Sequence, residues 1–401
     1  EYGVFFTING GEKWIKLKGG TPTISFRDLV IQKERNDLVC ASFGRGFFIL
    51  DDYSPLRDVT EEMLEEEGAL YPIRKAWMFN RRMGAGSQGA SHYTADNPDY
   101  GAVITYHLSE SYPTLVSTRK KEEGKLKKEE QPITFPDWEV LKQERLQEKP
   151  KVWLTIRDEA GDVVRKLDGE MGKGFHRVAW NLRYPAWGAI DIHRESSGRS
   201  WQPSGMSAMP GKYTVTLSKE VDGKITDLAG PVEFQVEKLY EGALEAKPDQ
   251  DIIAFREEIN KLREATSAAS ITFDEAQKKV NAMQTALSRM AEPPGELYEE
   301  FYTIKRHLAE FNEQVYGDPA KRELSEYDYP TVSQRLGVAS GGAWNLNYGP
   351  TGTQQMCLEI AKEQFKGFRA DLEVIINEMI PAFEEKLVAA GAPWMTGMPL
   401  K

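Results

Sequence analysis

Hydrophobic residues along this chain fall into two patterns that change over near residue 245. Up to residue 60 they form short runs of aromatic and β-branched residues: Val4-Phe5-Phe6, Trp14-Ile15-Lys16-Leu17, Leu29-Val30-Ile31, Leu38-Val39-Cys40-Ala41 and Phe47-Phe48-Ile49-Leu50. Clusters of Gly, Asn and Asp punctuate these runs, which predicts strands joined by tight turns. From Ala102 to about residue 240 strands resume, and Tyr213–Leu217 and Val232–Val236 alternate apolar with polar residues, so that each places one face in a core. About seven short strands, with turns at Glu159–Asp162 and Val221–Lys224, describe an immunoglobulin-like β-sandwich.

After Pro248 the period becomes helical. Leu297, Phe301, Ile304, Leu308, Phe311 and Val315 are spaced four and three apart, an apolar stripe that needs a partner helix. Asp249 and Thr272 read as N-caps of two preceding helices. A last stripe runs through Ile360, Phe368, Leu372, Ile375, Met379, Phe383 and Leu387, with Pro381 placed to kink or divide it. The expected architecture is therefore multidomain, β plus α. It has β segments over 1–58, a linker over 59–100 containing a Gly/Ser/Asn-rich loop from Gly84 to Pro98, and a sandwich over 101–240. An antiparallel helical bundle follows over 245–401, with a long loop at 317–352. Residues 110–150 read as a charged insertion, and the run Arg119–Glu130 as a solvated hairpin tip or flexible insertion.

Composition narrows the partners. The chain has 62 acidic and 51 basic residues, a formal charge of −11, and its longest charged run mixes both signs. That balance argues against a nucleic-acid partner, which would need a clustered positive surface. No apolar run is long enough to span a membrane. Two cysteines, Cys40 and Cys357, build neither a disulfide framework nor a zinc site, and both read as buried free thiols. The sequence points to no cofactor and no metal.

The stretch Thr7-Ile8-Asn9-Gly10-Gly11-Glu12-Lys13-Trp14 carries the most specific signal. Thr7, Asn9, Gly11 and Trp14 follow the order Ser/Thr, Asp/Asn, Gly, Trp, with Asn9 standing where Asp is usual. This resembles the Asp-box of BNR-type β-propellers, a turn in which the Asx side chain binds backbone N–H groups, Gly supplies positive φ and Trp packs back over the turn. Gly3–Asn9 also aligns with Gly46–Asp52 at an offset of 43 residues, about one four-stranded blade. Ser42–Leu56 resembles the closing segment of a bacterial family of sortilin-like BNR propellers that are distantly similar to sialidases and xyloglucanases. Gly174–Pro185 and Pro210–Val215 resemble the Ig-like module, of flagellar hook-cap type, that follows the propeller in that family.

The resemblance implies partial propeller blades over 1–58, an exported protein located outside the bacterial cell or in the periplasm, and neighbouring blades supplied by the same protein or a separate chain. It implies a C-terminal scaffold and interaction region that closes the propeller and binds a glycan or protein partner. The alternative is part of a glycoside-hydrolase-like enzyme whose catalytic carboxylates lie in other blades. No nucleophile motif, P-loop, dinucleotide fingerprint or HExxH occurs, and no residue is singled out as catalytic. Asp51 and Asp52 are adjacent in a β pattern, face opposite ways and suit a turn better than an acid/base pair. Candidate ligand-binding residues are Arg45, between two glycines, together with Trp187, Asp191, His193 and Trp201, where aromatic platforms for sugars sit beside polar groups. Packing of that loop, and an ion pair for Arg45, are the competing readings.

Overall fold

The computed structural model describes residues 2–80, 95–192, 204–243, 245–341 and 348–398. They divide into two units: Glu1–Tyr184 with Ala208–Tyr240, and Pro185–Ser207 with Glu241–Lys401. The first is built mainly of strands and the second mainly of helices.

The first unit begins with a hairpin of β1 (Phe5–Phe6) and β2 (Ile15–Lys16), then an antiparallel sheet of β3 (Phe26–Gln32), β4 (Asp37–Ser42) and β5 (Phe47–Leu50). Helix α1 (Glu61–Glu65) is capped by the Thr60 hydroxyl, which accepts from Met63 N–H. Strands β6 (Gly68–Leu70), β7 (Ala76–Met78) and β8 (Ala102–Leu108) follow. The expected linker over 59–100 thus supplies two strands to the sheets. A Cβ at position 68 would lie 2.9 Å from Leu228 Cβ, so Gly68 permits the close approach. Most of the Gly84–Pro98 loop lies outside the described residues.

The 110–150 segment also departs from expectation. It forms two exposed helices, α2 (Leu115–Lys128) and α3 (Trp138–Leu146), capped by Thr114 and Asp137. Arg119 donates from Nε and Nη2 to the two Glu144 carboxylate oxygens (2.6 and 2.9 Å) and pairs with Glu123 one turn away. The mixed charge that suggested a solvated tip instead lines helix faces.

Seven more strands follow among the described residues: β9 (Lys151–Asp158), β10 (Val163–Gly169), β11 (Gly174–Trp180), the short β12 (Arg183–Pro185), β13 (Ser204–Ser207) of the other unit, and the long hairpin of β14 (Gly211–Val221) and β15 (Lys224–Lys238). One sheet has the order β10-β9-β14-β15-β7 and another β11-β8-β6. The expected turn at Val221–Lys224 joins β14 to β15, with positive φ at Asp222 (52°) and Gly223 (75°), the twist that suits a two-residue hairpin. Tyr213, Val215, Leu217, Phe234 and Val236 are buried, in the period-two alternation read from the sequence. The Trp180 ring of β11 packs edge-on against Tyr213 (5.1 Å) and Phe234 (6.1 Å), which joins the two sheets through one core. Tyr213 donates its hydroxyl to the Met209 carbonyl (2.6 Å), and Trp180 its indole N–H to the Arg183 carbonyl (3.0 Å).

Strand β8 is buried on both faces. Ala102, Ile104, Tyr106 and Leu108 enter the shared core, while Thr105 and His107 on the opposite face are also buried. Val59, Ala69 and Tyr71 form a small cluster with Ile8, Met63 and Leu64. Tyr71 and His107 both pack on the Phe175 ring (5.5 and 5.0 Å).

The helical unit starts with α4 (Asp249–Ser288), a single helix of 40 residues, about 60 Å long at 1.5 Å per residue. The break expected at Thr272 is absent: its hydroxyl donates to the Ala268 carbonyl within the helix, and Asp249 is the first helical residue while Pro248 holds the N-cap position. Alanines at 265, 268, 269 and 276 favour continuation. Then come α5 (Gly295–Tyr316), α6 (Pro319–Glu323), α7 (Val332–Gly341) and α8 (Gly352–Val374). A π-helical turn (Ile375–Met379) separates α8 from α9 (Ile380–Ala389), at the place where Pro381 cannot continue the α-helical ladder. Helix α7 lies inside the expected 317–352 loop. A capping box starts it: Gln334 N–H donates to Thr331 Oγ1 (3.3 Å) and Thr331 N–H to Gln334 Oε1 (2.9 Å).

These helices share a core in which Leu297, Phe301, Ile304, Leu308 and Phe311 are buried, as their spacing predicts, with Val315 partly so. Phe311 meets Phe368 at 4.3 Å and Phe273 at 4.7 Å. In the last stripe Ile360 is exposed and the small Ala361 takes the buried position beside it. Cys40 is buried, Cys357 only partly, and both are free thiols.

Two measurements test the β core. Tyr213→Phe removes one hydrogen bond and is expected to cost about 1 kcal/mol in urea unfolding, whereas Trp180→Ala opens a cavity and is expected to cost about 3–5 kcal/mol. Burial, then the charges of Lys173 and His176, hold the His107 pKa below its ordinary 6.5. The unfolded chain therefore binds a proton that the folded chain refuses. Stability from this site is complete above pH 6.5 and falls as pH drops from 6.5 toward the depressed folded value. His107→Gln is expected to flatten that slope in a series of urea midpoints against pH.

Candidate functional site

The hairpin turn at 7–14 is held by its own side chains. Thr7 donates its hydroxyl to Asn9 Oδ1 (2.9 Å), Gly11 N–H donates to Thr7 Oγ1 (3.0 Å), and Lys13 N–H donates to Asn9 Oδ1 (3.0 Å). Gly10 and Gly11 take positive φ values of 70° and 101°. The Thr7 hydroxyl and Asn9 Oδ1 are thus both engaged in holding the turn. Trp14 departs from expectation: it is 62% exposed, so it does not pack back over the turn.

Strands β3–β5 form an amphiphilic surface of another kind. By register, Val30, Val39 and Ile49 lie in one row, and Ala41 and Phe47 in the next, all on one face. Val30 is 56% exposed, Ile49 59% and Phe47 73%. The opposite face, with Leu29, Leu38 and Leu50, borders a 450 Å³ cavity whose far wall includes Val4, Phe5, Ile8 and Leu17. A sheet of three strands with apolar side chains on both faces buries little of either. Arg45 is exposed at the β4–β5 turn, where the Gly46 carbonyl accepts from Ser42 N–H (3.0 Å).

Just beyond β5 the chain is clamped by charge. Asp52 is buried with φ at 44°; its carboxylate accepts from the Ser54 hydroxyl (2.6 Å) and lies 3.8 Å from Arg74 Nε. Asp52 N–H donates to Asp37 Oδ1 (2.9 Å). From β11, Arg177 donates to the main-chain carbonyls of Asp51 (2.6 Å) and Asp52. Burial and then Asp37 push the Asp51 carboxyl above its ordinary 3.8, against the opposing pull of Arg177 and Arg74. The adjacent aspartates thus serve a turn and its anchor.

In the helical unit Trp187 lies over the guanidinium of Arg263, 4.1 Å from ring centroid to carbon, a cation–π arrangement. Arg263 Nε and Nη2 both donate to Ser340 Oγ (2.8 and 2.5 Å), and Ser340 in turn donates to the Leu336 carbonyl. Ala189 N–H donates to Ser267 Oγ (3.2 Å), which fixes the Trp187 loop to α4. Burial lowers the Arg263 pKa from its ordinary value. These groups border a 220 Å³ cavity. Asp191 is half-buried between the exposed Ile190 and Ile192, while His193 and Trp201 lie outside the described residues.

The structure therefore joins Trp187 to Arg263 and Ser340, neither of which the sequence reading selected. A signal existed: Arg256 and Arg263 sit seven apart on α4, beside the equally spaced Ile252 and Ile259 of the buried stripe. Arg74 and Arg177 carried no comparable mark, because their partners lie far away in sequence. Among the described residues, no three His, Cys, Asp or Glu side chains converge on a metal-binding position, and no helix is long and apolar enough to cross a membrane. No protein-family model, curated protein or solved structure matches the chain.

Arg177→Met removes both donors to the Asp51–Asp52 turn while keeping most of the side-chain volume. It is expected to cost about 1–2 kcal/mol and to hasten proteolytic cleavage near residues 51–58. Arg177→Lys, with one compact cation instead of a fork, should recover only part of the loss in the same urea and proteolysis assays.

Proposed function

We propose that this chain is the C-terminal scaffold and interaction region of an exported bacterial BNR-repeat β-propeller protein, and that its β1–β5 segments are parts of two successive blades. The observation that carries this reading is the open apolar face of β3–β5, with Val30, Phe47 and Ile49 more than half exposed. Propeller blades stack face to face around an axis, so a neighbouring blade is the natural cover for such a face. The Asp-box turn, with Thr7 and Asn9 bonded to nearby main chain, and the Ser42–Leu56 segment support the same assignment.

The two packed sheets suit an Ig-like module. Trp180 sits in the core against Tyr213, and the Tyr213 hydroxyl bonds the carbonyl four residues upstream, the arrangement of a tyrosine corner. The shared core of α4, α5, α8 and α9 suits an antiparallel bundle. In this reading the Ig-like module anchors the last blade through Arg177, and the chain closes the propeller and presents loops to a glycan or protein partner.

The test compares this chain alone with the chain co-expressed with upstream blades. Amide hydrogen exchange across residues 26–50 is expected to slow at least tenfold in the assembly. Ile49→Glu should abolish the slowing while leaving the stability of the chain alone within about 0.5 kcal/mol. Equal exchange in both forms, or coding sequence upstream of Glu1 that lacks Asp-boxes every 40–50 residues, would defeat the proposal.

A further inference from the structure

The cavity beside Trp187 and Arg263 holds a cation without a counter-charge. Among the described residues Arg263 has no carboxylate partner; its bonded acceptor is the neutral Ser340 hydroxyl. Three lysines of this unit, by contrast, are paired with carboxylates: Lys279 with Glu384 and Lys362 with Glu258 at 2.6 Å, and Lys386 with Glu300 at 2.7 Å. The Arg263 guanidinium is half-buried at the wall of this cavity, in a chain with an excess of acidic residues. Withdrawing a charge from water without a partner costs free energy that an arriving anion would recover.

The guanidinium is also presented rather than mobile. Trp187 covers one face and Ser340 fixes two of its nitrogens, so further N–H donors are held in place. The walls define the rest of the ligand. Ser267 and Ser333 contribute hydroxyls, and Val315, Leu336, Phe365 and Phe368 contribute apolar surface. At 220 Å³ the cavity is smaller than the roughly 300–1,000 Å³ of sites that take drug-sized molecules. Among the described lining residues Arg263 is the one cation, which favours a single negative charge over a phosphate dianion, and the planar fork of Arg matches a carboxylate.

We propose that this cavity binds a small monocarboxylate with an apolar body, its carboxylate on Arg263 and its body against Phe365, Phe368 and Leu336. The site lies wholly within the helical unit and is independent of the propeller assignment.

Isothermal titration of the whole chain with benzoate, phenylacetate and hexanoate tests this, with benzamide as the neutral control. At least one acid is expected to bind saturably at one site in the millimolar range or tighter, and at least tenfold more tightly than benzamide binds. Arg263→Gln should weaken it tenfold or more. Because that change can disturb α4, Ser333→Phe serves as a second variant: it fills the cavity, leaves Arg263 in place and should also block binding, with circular dichroism confirming the fold. The proposal is overturned if none of the acids binds saturably, if benzamide binds equally well, or if Ser333→Phe and Arg263→Gln both bind as the parent does.

Discussion

Burial of strand β8 on both faces is the constraint on which the β unit depends. One face, Ile104, Tyr106 and Leu108, completes the core shared by the two sheets. The other places Thr105 and His107 where water would normally stand, and a sheet face of that kind needs a cover. Phe175 supplies a ring beside His107, Tyr71 packs on Phe175, and Val59, Ile8 and Leu64 gather around Tyr71. Residues from the N-terminal hairpin are therefore structural neighbours of a strand about a hundred positions later. The Arg177 bonds to the Asp51–Asp52 turn add direction to this contact, which apolar packing alone lacks.

That dependence explains an asymmetry in the N-terminal segments. Their inner side is held by packing and charge, yet the outer face of β3–β5 keeps Val30, Phe47 and Ile49 in water. Scattered apolar side chains on a surface are ordinary, but three in adjacent rows of one small sheet form a contiguous patch. The 450 Å³ cavity on the opposite face shows that the hairpin and the sheet do not fill the space between them. The helical unit shows no such deficit in its central layer, where Phe273, Phe301, Phe311 and Phe383 are almost completely buried.

Much of the local structure was legible because it rests on interactions within a few residues. The Asn9 turn, the Asp222-Gly223 hairpin and the α5 stripe each follow from side chains or dihedral preferences at fixed short spacing. The errors have the same logic. Thr272 carries a capping side chain, but its hydroxyl bonds the preceding turn and the alanine-rich surroundings keep α4 continuous. The Thr331–Gln334 capping box announced α7 and was hidden by the Gly, Pro and Asn residues around it. Trp14 matched a motif in sequence, yet its packing needs a surface that the turn itself does not provide.

By itself, the sequence determined periodicity, turn chemistry, charge balance and the order of β before α, since each is encoded between near neighbours. Only the tertiary structure decided that residues 68–70 and 76–78 are strands rather than linker, because those short runs are stabilised by edges supplied by β8 and β15. It alone placed Arg177 on the Asp51–Asp52 carbonyls and Trp187 over Arg263, contacts that span 125 and 76 positions. A buried guanidinium takes its meaning from what surrounds it, and long-range packing sets those surroundings. The candidate site is therefore a property of the fold, although the residues that make it were visible from the start.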